Sequence, residues 1–160
     1  MKRAVGLTIS AALSLLLSGC GLLPLYAGGG SGLVARNLAQ IYVPPIEGQA
    51  GWLVRNALND RLAHTGAAKY RLDVRLDDKL EGLGLLSNDS IGRERRTLRA
   101  RYELVDIASG EIVIDATAGS DAGIDVVSSE YATIAAEQTA LENLARELAQ
   151  RIAEIGRAHV

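Results

Sequence analysis

The sequence predicts an α+β fold, a two-layer sandwich with two helices packed on one face of a four-stranded, mostly antiparallel sheet. Three observations carry this expectation. Residues 70–77, 97–104 and 112–118 alternate apolar and polar side chains, which is the period of a strand with one buried and one solvated face. Residues 51–64 and the stretch from about 130 onward space their apolar residues by threes and fours, the period of a one-sided helix. The order β-α-β-β-β-α leaves each element with one apolar side to cover, and the economical solution puts both helices on one side of one sheet. The opposite sheet face, rich in Arg and Asp, is left to water or a partner.

The chain is expected to open with a leader. Lys2 and Arg3 precede residues 4–17, an uncharged apolar run. As a helix it spans roughly 21 Å, too short for a bilayer core of about 30 Å and suited to the apolar core of a signal peptide. Leu17-Ser18-Gly19-Cys20 resembles the lipobox of bacterial lipoproteins. We expect residues 1–19 to be the signal peptide and Cys20 to carry lipid (diacylglycerol, palmitate) after cleavage, since a thiolate is the nucleophile that accepts it. Cys20 is the one cysteine in the chain, so no internal disulfide is available. Gly21 rather than Asp follows it, a pattern that in enteric bacteria resembles export to the outer membrane. Residues 20–37, with Gly28-Gly29-Gly30-Ser31-Gly32, read as a flexible tether of roughly 25 Å r.m.s. span.

A single α+β domain is expected over residues 38–153. Residues 38–43 are apolar and β-branched and stop at Pro44-Pro45, which reads as a strand with a free edge. Residues 51–64 form a helix with Val54, Leu58 and Leu62 in register, closed by Thr65-Gly66. Tyr70, Leu72, Val74 and Leu76 then alternate with Arg71, Asp73, Arg75 and Asp77. A Gly-rich loop is expected over residues 82–92. Leu98, Ala100, Tyr102 and Leu104 alternate with Thr97, Arg99, Arg101 and Glu103, and after a turn at Ile107-Ala108-Ser109-Gly110 the pattern resumes at Ile112 and Ile114. A short glycine turn between two such runs makes an antiparallel hairpin. The last helix starts near Glu130, capped by Ser128 or Ser129. Its expected apolar face runs through Tyr131, Ile134, Ala135, Leu141, Leu144, Ala145, Leu148 and Ile152, broken by Gln138.

Residues 154–160 back-translate, with ordinary codons, to the start of a common sequencing adapter whose next triplet is a stop. We expect them to be read-through, with the native C-terminus missing and no functional meaning for His159.

Chemistry is sparse. Seventeen basic and 19 acidic residues give a net charge of −2, and loss of Lys2 and Arg3 makes it about −4, which argues against a nucleic-acid binder. His64 stands alone near a helix end, so neither a metal set nor a His-dependent nucleophile assembles. No cofactor and no enzymatic activity are expected. Gly28-Gly29-Gly30 precedes no strand–helix phosphate unit. Asp73, Asp77 and Asp78, interleaved with Arg71, Arg75 and Lys79, read as a solvated strand face with cross-strand ion pairs. Arg93, Arg95, Arg96, Arg99 and Arg101 crowd one loop and strand. They are either a charged face balanced by Asp73, Asp77 and Glu103, or a site whose planar forks suit phosphate or carboxylate oxygens.

The ordered set as a whole has a likeness. The lipobox, the Gly-rich spacer, Gly51, Val54-Arg55, Leu58, Leu62, Gly66 and Tyr70-Arg71-Leu72-Asp73-Val74 come first. Arg96, Leu98, Ala100-Arg101-Tyr102-Glu103-Leu104-Val105-Asp106, Ser109-Gly110 and Ser129-Glu130-Tyr131-Ala132 follow. This resembles the lipopolysaccharide-assembly lipoproteins of the outer-membrane translocon, in an alphaproteobacterial-like form. The resemblance implies the β-α-β-β-β-α fold and a non-catalytic plug, held on the periplasmic face of the outer membrane by its acyl chains. It implies two partners, a large outer-membrane β-barrel protein and lipopolysaccharide, and makes the five arginines the candidate contacts. An auxiliary lipoprotein of an ABC-type or phospholipid transport system is the alternative within the binding class, and a lipid-anchored hydrolase the alternative outside it.

Overall fold

The computed structural model describes residues 38–85 and 91–159. The expected leader, Cys20, the tether at 20–37, the middle of the expected loop at 82–92 and Val160 lie outside the described residues. The elements are β1 (Ile41–Tyr42), α1 (Gly48–Leu62), β2 (Tyr70–Leu85), β3 (Ile91–Asp106), β4 (Ile112–Asp125) and α2 (Glu130–His159). The sheet runs β1-β2-β3-β4, with β1 parallel to β2 and the other pairs antiparallel. This is the α+β order read from the sequence, with both helices on one sheet face.

Register sets the two faces. Rows Leu72/Leu104/Ile114, Val74/Tyr102/Ala116 and Leu76/Ala100/Ala118 form the helix side. Val54, Ala57, Leu58 and Leu62 of α1 and Leu141, Leu144, Leu148 and Ile152 of α2 close the core over them. Each fully buried Leu there contributes roughly 1.5–3 kcal/mol of burial energy. Gly51 lets α1 approach the chain behind it, because a Cβ at that position would lie 2.6 Å from the Ile46 carbonyl oxygen.

Four expectations are corrected. The first strand shrinks from residues 38–43 to Ile41–Tyr42, because a turn precedes it and prolines, which lack an N–H, follow it. The α1 stop falls on Ala63, not on Thr65-Gly66. Ala63 is left-handed (φ 48°) and its N–H returns to the Asn59 carbonyl at 2.9 Å. His64 Nδ1–H and Thr65 N–H both donate to the Ala39 carbonyl (2.9 and 3.2 Å), tying that stop to the chain before β1.

The loop expected over 82–92 is largely strand. Pairing continues through Gly82/Glu94 and Leu83/Arg93 to Leu85/Ile91, so β2 and β3 reach 16 residues each, roughly 50 Å. The apolar face of α2 is also shorter than expected. Tyr131, Ile134 and Ala135 are exposed, and regular burial begins at Ala140. The reason lies beneath it: the distal sheet rows Asp78/Leu98/Ser120, Leu80/Arg96/Ala122 and Gly82/Glu94/Ile124 are partly polar, so the first turns of α2 meet no continuous apolar surface. Ser129 does cap α2, weakly, by accepting the Ala132 N–H at 3.4 Å.

Candidate functional site

The outer sheet face, away from the helices, collects the odd-numbered residues of β2, β3 and β4. Its basic side chains are Arg71, Arg75, Lys79, Arg93, Arg95, Arg99 and Arg101. Its acidic ones are Asp73, Asp77, Glu81, Glu103, Asp115, Asp121 and Asp125. Seven against seven leaves the face neutral in sum while densely charged. The ion pairs are Arg71–Asp73 (2.8 Å), Lys79–Asp77 (3.4 Å), Arg93–Asp125 (3.0 Å), Arg95–Asp121 (4.0 Å) and Arg101–Asp115 (2.9 Å). Two of them run along β2 rather than across strands, and Arg93, Arg95 and Arg101 are matched by β4 rather than by Asp73, Asp77 and Glu103. All are solvent-exposed, so water and salt screen each pair and it exchanges partners at little cost. The Arg101 guanidinium holds the Asp115 carboxyl below its ordinary pKa.

Arg75 and Arg99 have no carboxylate in ion-pair range among the described residues, and register sets Arg75 directly opposite Arg101. These three arginines, with Asp77, Thr117 and Gly119, line a shallow trough of ≈ 510 Å³. Gly119 keeps its floor low: a Cβ there would come within 3.2 Å of the Arg99 Cγ. A neighbouring depression of ≈ 280 Å³ shares Arg75 and Arg101 and is walled by Pro44, Pro45 and Ile46. Three arginine forks around one trough, two of them uncommitted, make a surface suited to anionic oxygens.

The five arginines singled out from sequence do not form one patch. Arg93, Arg95, Arg99 and Arg101 share the outer face. Arg96 stands on the helix side, with its side chain 16% exposed. Its Nε and Nη2 donate to the two Asp78 carboxylate oxygens (2.9 and 2.7 Å), and its Nη1 donates to the Glu137 carbonyl of α2 at 3.3 Å. Those bonds to Asp78 raise the Arg96 pKa against the opposing effect of burial. Arg96 joins sheet to helix. Arg75 belongs to the trough although it lies 26 positions before Arg101 in sequence, because strand register puts the two side by side. His64 is spent on the Ala39 carbonyl. Among the described residues no cluster of His, Cys, Asp and Glu is arranged to hold a metal, and no helix is long and apolar enough to cross a membrane.

Comparison with known proteins follows the same architecture. A lipoprotein of Caulobacter crescentus CB15 superposes with a TM-score of 0.67 at 27% identity, covering 78% of this chain and 93% of that one. A minor lipoprotein from Acinetobacter baumannii (TM-score 0.56, 14% identity, 74% and 88% covered) shares the fold. So does the rare lipoprotein B from Shewanella oneidensis (0.53, 13%, 74% and 92%). No curated protein matches the sequence. Residues 38–154, nearly the whole described body, match the LptE family, described as lipopolysaccharide-assembly. The chain therefore belongs to the LptE family of lipopolysaccharide-assembly proteins.

Proposed function

We propose that this chain is a non-catalytic outer-membrane lipoprotein that plugs, and helps assemble, a β-barrel translocon inserting lipopolysaccharide into the outer leaflet. In this reading residues 1–19 are removed, Cys20 is acylated, and residues 20–37 tether the body to the periplasmic face. Two or more acyl chains give stable anchoring.

The observation that carries the proposal is the outer sheet face of an LptE-family body. It is roughly 50 Å long, more than a bilayer core of about 30 Å, so it is long enough to run the full depth of a membrane barrel. It is polar and neutral in sum, compatible with a water-filled lumen, and its exposed ion pairs exchange readily for contacts with a wall. The Arg75, Arg99 and Arg101 forks fit phosphate groups such as those of lipopolysaccharide. Arg93 and Arg95 extend the basic row along β3.

Capture of the natively acylated protein from outer membranes, with its partner identified by mass, tests the reading. A large barrel protein is the expected partner. A periplasmic tunnel or inner-membrane complex would favour an auxiliary lipoprotein of ABC-type or phospholipid transport instead. In the same system, Arg75→Glu, Arg99→Glu and Arg101→Glu together are expected to weaken lipopolysaccharide binding tenfold or more while leaving far-UV circular dichroism unchanged. Unaltered binding would assign the three to charge balance alone.

A further inference from the structure

The two edges of the sheet differ in kind. β1 covers only Tyr70 and Arg71, so β2 is an edge strand from Leu72 onward. Seven of its 16 residues are charged, of both signs, and Pro44, Pro45 and Ile46 flank it beside Asp73 and Arg75. Such charges discourage pairing with a foreign strand. β4, the opposite edge, carries three charges, all Asp, against those seven. Its 14 residues include no Lys, Arg or Pro, and most are small or β-branched.

The ladder shows which β4 backbone groups are free. In an antiparallel strand the N–H and C=O of one residue point to the same side. The Val126 N–H donates to the Gly92 carbonyl of β3 (3.2 Å), which turns even-numbered residues inward. The Gly119 carbonyl accepts from Arg151 Nη1 of α2 (2.5 Å), which turns odd-numbered residues outward. Thr117, Asp121 and Gly123 are exposed, and no hydrogen bond among the described residues reaches their outward N–H and C=O groups.

The same odd-numbered residues set the chemistry of this edge. Asp115, Asp121 and Asp125, the exposed ion-pair partners of Arg101, Arg95 and Arg93, line its outer face with carboxylates that exchange partners at little cost, and Gly123 leaves open space above the backbone. On the helix side the row is small and half-buried, Ala116, Ala118 and Ala122. We propose that β4 accepts, by edge-to-edge pairing, an extended strand of a partner protein with Arg or Lys on alternate residues and small or β-branched residues between them. A second copy of this chain is a poor occupant, because β4 against β4 sets two acidic rims side by side. Pairing at β4 needs neither Arg75 nor Arg99, so it is separable from the function proposed above.

The test uses the acylated full chain in detergent micelles and an eight-residue peptide alternating Arg and Val. Binding is expected to slow amide exchange at Thr117, Asp121 and Gly123 at least tenfold. Two further peptides carry N-methyl groups on either the Arg or the Val residues, each blocking one backbone edge. One isomer is expected to lose tenfold or more in affinity and the other to retain it. Equal affinity for all three peptides, or equal loss in both isomers, would overturn strand pairing and leave charge attraction alone. Protection that grows with protein concentration in the absence of peptide would overturn the basic partner in favour of self-association. Gly123→Pro removes one outward N–H where a Cβ meets open space, and is expected to weaken binding fivefold or more.

Discussion

Arg96→Met separates structure from function within the arginine run. The substitution keeps side-chain length and apolar contact but removes two charge-assisted bonds to Asp78 and one to the Glu137 carbonyl. A hydrogen bond to a charged group is worth about 1.5–3 kcal/mol net, and breaking a fully buried ion pair costs about 3–5. Exposed pairs are worth about 0–1 kcal/mol. With side-chain exposures of 16% and 27%, this pair lies between those limits, so we expect a loss of about 2–3 kcal/mol. For a body of about 120 residues that is a fall in Tm of roughly 6–15 °C. Urea unfolding followed by circular dichroism, on the chain without residues 1–19 and with Cys20→Ser, reads it directly. Arg99→Met, on the exposed outer face, should change stability by less than about 0.5 kcal/mol. A double-mutant cycle with Asp78→Asn should give a coupling of at least about 1.5 kcal/mol. Arg96→Met/Asp78→Leu should recover most of the loss, since replacing a partly buried pair by apolar side chains is often neutral. If Arg96→Met costs no more than Arg99→Met, the assignment of Arg96 as the tie between sheet and helix is wrong.

Three further outcomes follow from the geometry. Gly51→Ala should cost about 1–3 kcal/mol in the same urea assay, because the new Cβ meets the Ile46 backbone at 2.6–2.7 Å and α1 must shift; an unchanged midpoint would show that α1 and residue 46 are not so close. Tyr102 is 2% exposed, its hydroxyl has no hydrogen-bond partner among the described residues, and burial pushes its pKa up. Tyr102→Phe should therefore be neutral or stabilise by up to about 1 kcal/mol, and a clear loss would reveal a partner for that hydroxyl. Asp106 is held below its ordinary pKa by the Ser109 and Ala108 N–H groups, Asp115 by Arg101, and Glu147 by the Ser120 hydroxyl and Arg151. Depressed carboxyls bind fewer protons folded than unfolded, so their stabilisation is complete above about pH 5 and declines as pH falls through about 4 toward the folded values. Urea midpoints measured from pH 7 to pH 3 should drop accordingly, and a rise on acidification would contradict the sign.

Part of the Arg96 result was legible in the chain. Arg96 has the same parity as Leu98, Ala100 and Tyr102, so alternation alone assigns it to the buried side. The closeness of the five arginines in sequence conceals that difference in parity. The long strands were less legible: Gly82, Gly84 and Gly92 look like loop, yet β2 and β3 pair to Leu85/Ile91 across them. Glycine weakens local strand preference, but cross-strand bonds supplied by a distant segment outweigh it. The exposed first turns of α2 were hidden for a related reason. Tyr131 and Ile134 fit the helical stripe, and only the sheet rows below decide whether the stripe has anything to cover.

By itself the sequence determined the order of elements, the two faces of each strand and the apolar sides of both helices, because those follow from periods of two and 3.6 along a local stretch. Only tertiary structure decided which residues stand opposite one another. Register joined Arg75 to Arg101, brought Arg96 beside Asp78 and left the outward groups of β4 unpaired among the described residues, since backbone pairing sets residues of different strands opposite one another and side-chain alternation carries no record of that offset.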